Sequence, residues 1–240
     1  MKTYPLLVVA LLAAFVMTPV HGQTVLYSTD FSGPDGSQPA DWSVTASTID
    51  LEILNNAYVA DNGTGFGIAY FNGTDNAGDP SSSWTDYTVT SSVRSVSTGN
   101  AGVIARVFSA SAFYTARING TGGGSYFDLY RLGGPGGSIQ LDVANGINYQ
   151  SGETWTISLS VVGSSITAQL WDASDELVAT IGGTDSTYTS GAAGVRGNPY
   201  TNSVTWDDFT VQAIPEPSKS ALTFAILIAT VALSKRVRAE

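Results

Sequence analysis

Apolar and polar side chains alternate with a period of two through most of this chain, the spacing of strands buried on one face. Tyr87, Val89 and Val93 fall on one side of a run whose other side carries Thr88, Thr90, Ser92 and Arg94. Val103, Ala105 and Val107 oppose Ile104 and Arg106, and Tyr114, Ala116 and Ile118 oppose Thr115 and Arg117. Further on, Phe127 and Leu129 oppose Tyr126, Asp128 and Tyr130. Trp155, Ile157, Leu159 and Val161 oppose Thr156, Ser158 and Ser160, while Ile166, Ala168 and Leu170 oppose Thr167, Gln169 and Trp171. Turn formers separate the runs: Gly99-Asn100, Asn119-Gly120, Gly133-Gly134-Pro135-Gly136-Gly137, Gly163-Ser164 and Gly182-Gly183. Short half-buried strands at this spacing predict an all-β fold, two antiparallel sheets packed as a sandwich. No fixed-period repeat is present, which argues against a propeller or solenoid.

The alternation stops at both ends, where the pattern becomes continuously apolar. Lys2 precedes the unbroken run Leu6 to Val16, and after Pro19 the small residues Val20 and Gly22 stand at −3 and −1 of a cleavage site before Gln23. That layout predicts a secretory signal peptide over 1–22, with its apolar stretch helical. At the other end Ile214-Pro215-Glu216-Pro217 forms a rigid extended break. A second apolar stretch follows, expected as a short transmembrane helix over 220–234, and Lys235, Arg236 and Arg238 close the chain. The stretch is short against the roughly 20 residues a bilayer core needs. Its basic end would stay cytoplasmic and leave the preceding domain outside.

The order Pro215-Glu216-Pro217, apolar segment, then Lys235-Arg236-Val237-Arg238 resembles a PEP-CTERM sorting tail, here over 214–240. The resemblance implies a bacterium that makes exopolysaccharide, and processing by an exosortase after signal peptidase has removed the N-terminus. The protein would be exported and held in the membrane by its tail before processing. Afterwards it would reside at the cell surface or in the extracellular matrix.

Composition narrows what the intervening domain, 23–213, can do. The chain has no cysteine, and its one histidine, His21, lies in the expected signal peptide. Thiol chemistry, a histidine general base, a Ser-His-Asp triad and His-bound zinc are thereby excluded from the domain. Lysine is absent from it as well. Five arginines against 18 carboxylates leave the domain a formal charge of −13, which excludes nucleic acid as a partner.

Several motifs in order make the domain familiar. They begin with Asp30-Phe31 and Trp42, continue through Gly102-Val103-Ile104-Ala105-Arg106, Tyr114-Thr115-Ala116-Arg117 and Phe127-Asp128-Leu129-Tyr130-Arg131, and end with Gly194-Val195-Arg196 and Val204-Thr205-Trp206-Asp207-Asp208-Phe209. Together they resemble the concanavalin A-like lectin/glucanase superfamily in its laminin-G-like branch, across essentially the whole domain. The resemblance implies a jelly roll with carbohydrate or protein ligands on the concave face or rim.

Candidate binding residues follow from the alternation. Arg94, Arg106 and Arg117 point away from the apolar face on what should be neighbouring strands, and Asp128, Tyr130 and Trp171 share that polar parity. Sugar recognition uses flat aromatic faces for pyranose C–H groups and planar polar groups for hydroxyls. The same residues on a solvated sheet face would simply pair with one another. Asp30, near the start of the domain, and Asp207 or Asp208, near its end, would meet if the first and last strands pair. The superfamily often holds a structural calcium at such an edge, and Ca²⁺ takes oxygen ligands. Catalysis finds less support, because glycosidases need two carboxylates at a set separation. Glu52, Glu153 and Glu176 are scattered, without the close glutamate spacing of the superfamily's glucanases. The expected function is therefore non-enzymatic, a lectin-like binding of extracellular polysaccharide or cell-surface glycan. A structural matrix or surface-coat protein without specific sugar binding is the second reading, and a glycan-cleaving hydrolase the third.

Overall fold

The alternating runs become strands, and every strand pairing is antiparallel. The computed structural model describes residues 23–46, 48–61, 63, 65–95, 99–199 and 203–215. The expected signal peptide and, past Pro215, the expected sorting tail lie outside these residues. Among the described residues there is no α-helix, and none long and apolar enough to cross a membrane.

One sheet has eight strands. Its main path runs β13 (Leu177–Thr184), β12 (Ser165–Trp171), β11 (Thr154–Val162), β6 (Tyr87–Ser95), β15 (Val204–Ala213), β4 (Ala57–Asp61) and β3 (Asp50–Leu54), with β1 (Val25–Thr29) also on β15. The other has seven, in the order β10 (Ile139–Asn145), β9 (Tyr126–Leu132), β8 (Ala112–Asn119), β7 (Asn100–Ser109), β14 (Ala192–Asn198), β5 (Gly67–Phe71) and β2 (Trp42–Ala46). The first and last strands do pair, with Thr29 opposite Phe209.

The core is the pair of inner faces that the period of two marks out. Tyr87, Val89, Ile157 and Leu159 of the eight-stranded sheet and Val103, Tyr114, Ala116 and Leu129 of the other belong to one buried cluster. An aromatic group closes one end, with Phe31 stacked on Tyr58 at 5.3 Å and Trp42 edge-on to Phe209 at 5.2 Å. Trp206 reaches across from β15 and donates its indole N–H to the Gly102 carbonyl at 3.0 Å, tying the sheets together.

One expectation is corrected here. β6 is not a sheet neighbour of β7 and β8, because the chain changes sheets between Ser95 and Asn100. β6 pairs with β11 and β15, whereas β7 pairs with β8 and β14. Alternation fixes which face of a strand is buried, and it carries no information about which strand lies alongside.

Candidate functional site

The outward face of the seven-stranded sheet is assembled in rows by its register. The central row crosses the strands as Ile68, Arg196, Gly102, Arg117, Asp128 and Val143. On one side of it lies a row of amides and one phenol: Asn198, Asn100, Asn119, Tyr126 and Asn145. On the other side run Tyr70, Gly194, Ile104, Thr115 and Tyr130. In that last row the low residues Gly194, Ile104 and Thr115 are buried between two tyrosines, so the surface is a trough with aromatic walls.

Three predicted residues, Arg117, Asp128 and Tyr130, come together there. Arg117 binds Asp128 in a two-point fork, Nε to Oδ1 at 2.9 Å and Nη2 to Oδ2 at 2.8 Å. The guanidinium also lies over the Tyr130 ring, 4.9 Å from its centroid. Asp128 is almost fully buried, so the pair is a fixed element rather than a mobile surface contact. Arg196 joins them, a residue that alternation alone does not distinguish from the other arginines. It sits two strands from Arg117 on the same row, about 10 Å away by strand spacing. Its Nη1 donates to Asn100 Oδ1 at 3.3 Å, and its guanidinium lies 5.7 Å from the Phe66 ring centroid. Its Nε is buried without a hydrogen-bond partner, as is Thr115 Oγ1 in the adjoining row. Burial, and then the Arg117 charge, pull the Arg196 guanidinium down to about 9 against the smaller opposing effect of the Asp128 carboxylate, which still leaves it charged at neutral pH.

The other three candidates are elsewhere. Arg106 is buried, and its guanidinium donates to the carbonyls of Thr85, Gly163 and Tyr188 and to Asp86. It sits at a positive φ of 48° where the β7 register breaks, so a bulge turns its side chain out of the alternation. Arg94 is exposed on the outward face of the opposite sheet, its Nε on the Gly152 carbonyl at 2.8 Å. Trp171 is half-buried on that sheet too, opposite Thr156 of β11. These three share no surface with Arg117.

The sequence also gave no sign of a hollow of about 440 Å³ at the rim, lined by Phe108, Ala112, Gly134, Pro135 and Tyr188 among others. Phe108 is 79% exposed and lies parallel to Tyr188 at 6.2 Å. The loop behind it is pinned: Arg131 pairs with Asp185 at 3.2 Å, and Tyr114 donates to Asp185 at 2.7 Å.

At the β1–β15 edge, Asp30 and Asp208 line a shared hollow of about 390 Å³. Asp207 beside it is raised by burial, then by the charges of Asp208 and Asp30. Asp30 already accepts from the N–H and hydroxyl of Ser32. Among the described residues no three acidic, His or Cys side chains are grouped to hold a metal ion. The donor set here thus falls short of the six to eight oxygens calcium takes unless backbone and water supply the rest.

No protein-family model matches this chain, and no curated protein matches its sequence. Solved structures do match in fold. The carbohydrate-binding module CBM66 from Bacillus subtilis aligns with a TM-score of 0.54 at 14% identity, covering 75% of this chain and 100% of that one. The exoplasmic/lumenal domain of VIP36 in its Ca²⁺-bound form aligns at 0.57 and 9% identity, covering 81% of this chain and 92% of that one. A xylan β-1,4-xylosidase from Bacillus Halodurans C-125 aligns at 0.56 and 12% identity, over 77% of this chain but only 38% of the enzyme. At such identities the likeness is one of architecture: the chain shares the jelly-roll sandwich of carbohydrate-binding modules and lectins.

Proposed function

We propose that this protein is an exported, non-catalytic, lectin-like module that binds extracellular polysaccharide or cell-surface glycan in the trough of its seven-stranded sheet. One observation carries the reading: register gathers Arg117, Asp128, Tyr130 and a row of four asparagines onto one face. Amides and a fixed guanidinium–carboxylate pair present donors and acceptors in planes, as hydroxyl recognition requires. Tyrosine walls offer the flat apolar surface for sugar C–H groups. Sharing a fold with carbohydrate-binding modules supports this reading.

The same face argues against cleavage. Asp128 is its one carboxylate in the three rows described, and it is committed to Arg117. Hydrolysis of a glycosidic bond needs a second carboxyl group across the scissile bond. Delivery to the surface by a signal peptide, and retention by a PEP-CTERM-type tail cut by an exosortase, belong to the proposal and rest on the sequence of the two ends.

The test is binding of the purified full chain, in mild detergent, to a panel of neutral and acidic polysaccharides by affinity electrophoresis. Retardation by at least one polymer, weakened about tenfold in Tyr130→Ala with an unchanged melting temperature, is the expected result. No retardation by any polymer would leave the structural matrix reading in its place. Release of reducing ends from the panel would instead restore the hydrolase.

A further inference from the structure

The charges on the trough do not balance. Of its two arginines, Arg117 is neutralised by Asp128 in a two-point fork. Arg196 has no carboxylate partner among the described residues, although carboxylates outnumber arginines 18 to five in the domain. Arg106 and Arg131, the fully buried arginines, each have one. Leaving a partly desolvated guanidinium unpaired in so acidic a protein is unfavourable unless something else pairs with it. Its buried Nε lacks a partner, and its Nη1 makes only a long 3.3 Å bond to a neutral amide.

The surroundings are shaped for a small group to reach it. Gly102 stands between Arg196 and Arg117 in the row, so no side chain fills the gap between the two guanidiniums. The Nη1–Nη2 edge of a guanidinium presents two parallel N–H donors, the geometry that matches a planar carboxylate, while the buried Nε lies behind it. Asn100 and Asn119 lie in the next row, within reach of hydroxyls on the ring that would carry it.

We propose that the trough recognises an anionic saccharide, a hexuronic acid unit whose carboxylate is held by Arg196 beside the Arg117–Asp128 pair. This rests on the trough being the glycan-binding face, and it names the class of glycan. The net charge of the domain opposes a long polyanion wherever its further charged units come within a Debye length of the surface carboxylates, about 8 Å at physiological salt. Recognition is therefore directed at one or a few residues of the polymer, and short oligosaccharides are the right probes.

The experiment titrates the full chain, in mild detergent at physiological salt, with trisaccharides of galacturonate, mannuronate and glucuronate. Each is matched with its carboxyl-reduced neutral counterpart. At least one uronate is expected to bind tenfold or more tightly than its reduced form. In Arg196→Gln that discrimination collapses to about twofold or less while the melting temperature is kept or raised, since an unpaired buried charge has been removed. Arg196→Lys, which keeps the charge without the fork, recovers part of the discrimination. Equal binding of a uronate and its reduced partner, or binding of neutral sugars alone, overturns the anionic class and leaves the glycan reading intact. Uronate discrimination unchanged in a folded Arg196→Gln also overturns it. Absence of binding to all six sugars and to the polysaccharide panel removes both.

Discussion

Arg106→Met separates a structural arginine from a ligand-binding one. The guanidinium donates to Thr85 O at 3.0 and 2.9 Å, to Gly163 O at 2.7 Å, to Tyr188 O at 3.0 Å and to Asp86 Oδ1 at 3.3 Å. It thereby ties the segment before β6, the β11–β12 turn and the loop before β14 to one buried point. Methionine keeps most of the aliphatic volume, so the loss falls on the polar contacts and little cavity is left. Asp86 is partly rescued, because it is 28% exposed and still accepts from the Gly163 N–H at 2.9 Å. The Tyr188 carbonyl loses the guanidinium in a buried place, whereas Thr85 and Gly163 are exposed residues whose carbonyls water can take up. Leaving one buried carbonyl unsatisfied and loosening the other contacts costs about 2–3 kcal/mol. In a domain of this size 1 kcal/mol moves the midpoint by roughly 2–4 °C, so the melting temperature should fall by roughly 4–12 °C. Arg106→Lys should recover only a minor share, since one ammonium cannot span three carbonyls in a plane. Calorimetry or near-ultraviolet circular dichroism measures the midpoint, and affinity electrophoresis below it measures glycan binding. A midpoint within about 2 °C of the parent, with binding lost, would refute the structural assignment and return Arg106 to the ligand.

Three further outcomes follow from local geometry. A Cβ at Gly102 would run into the Ala116 carbonyl of β8, whereas one at Gly123 meets nothing within 4 Å; Gly102→Ala should therefore lower stability by about 1–3 kcal/mol in urea melts, and Gly123→Ala should not. Burial acts to raise the Asp185 carboxyl, but hydrogen bonds from Tyr114 and Thr187 and the Arg131 charge outweigh it and hold it below the usual range. Its contribution is then full above the unfolded-state value and lost as pH falls through the lower folded one, so Asp185→Asn should flatten the acid limb of melting temperature against pH below about 4. Asp207 is raised by burial and by Asp208 and Asp30, so Asp207→Asn should lift the midpoint by about 1–2 °C without calcium. If the edge gathers Ca²⁺, about 5 mM raises the parent midpoint and not that of Asp207→Asn; an unchanged parent midpoint removes calcium from this edge.

How much of this was legible in the sequence depends on what a period of two encodes. It marks the buried face, and the inward positions read from alternation, such as Val89, Val103, Ala116, Leu129 and Leu159, are core residues. It also marked Arg117, Asp128 and Tyr130 as outward, correctly. It does not encode partners, so Arg94 and Trp171 were grouped with residues on the other sheet. Nor does it register a bulge, and Arg106 left the alternation at the one position of β7 where the backbone enters the left-handed region. The asparagine row was hidden for the same reason as the sheet order. Asn100, Asn119, Asn145 and Asn198 stand on four different strands and become neighbours, with Tyr126 among them, only through register.

Register is therefore what the site depends on, and the core holds it in place. A slip of β14 by one residue would turn Arg196 inward and bring Val195 or Gly197 onto the trough. Gly197 faces the Trp206 ring so closely that a Cβ there would lie 2.5 Å from Trp206 Cη2. Only the residue without a side chain fits beneath that indole, and a slipped strand would push Arg196 or Asn198 into the same place. Trp206 is itself fixed by its bond to the Gly102 carbonyl, on the strand between the two arginines. One buried indole thus sets the outward direction of Arg196 from beneath and secures the backbone at the gap beside it. The charge imbalance of the trough is built into the packing of the core and does not depend on how a surface side chain happens to rest.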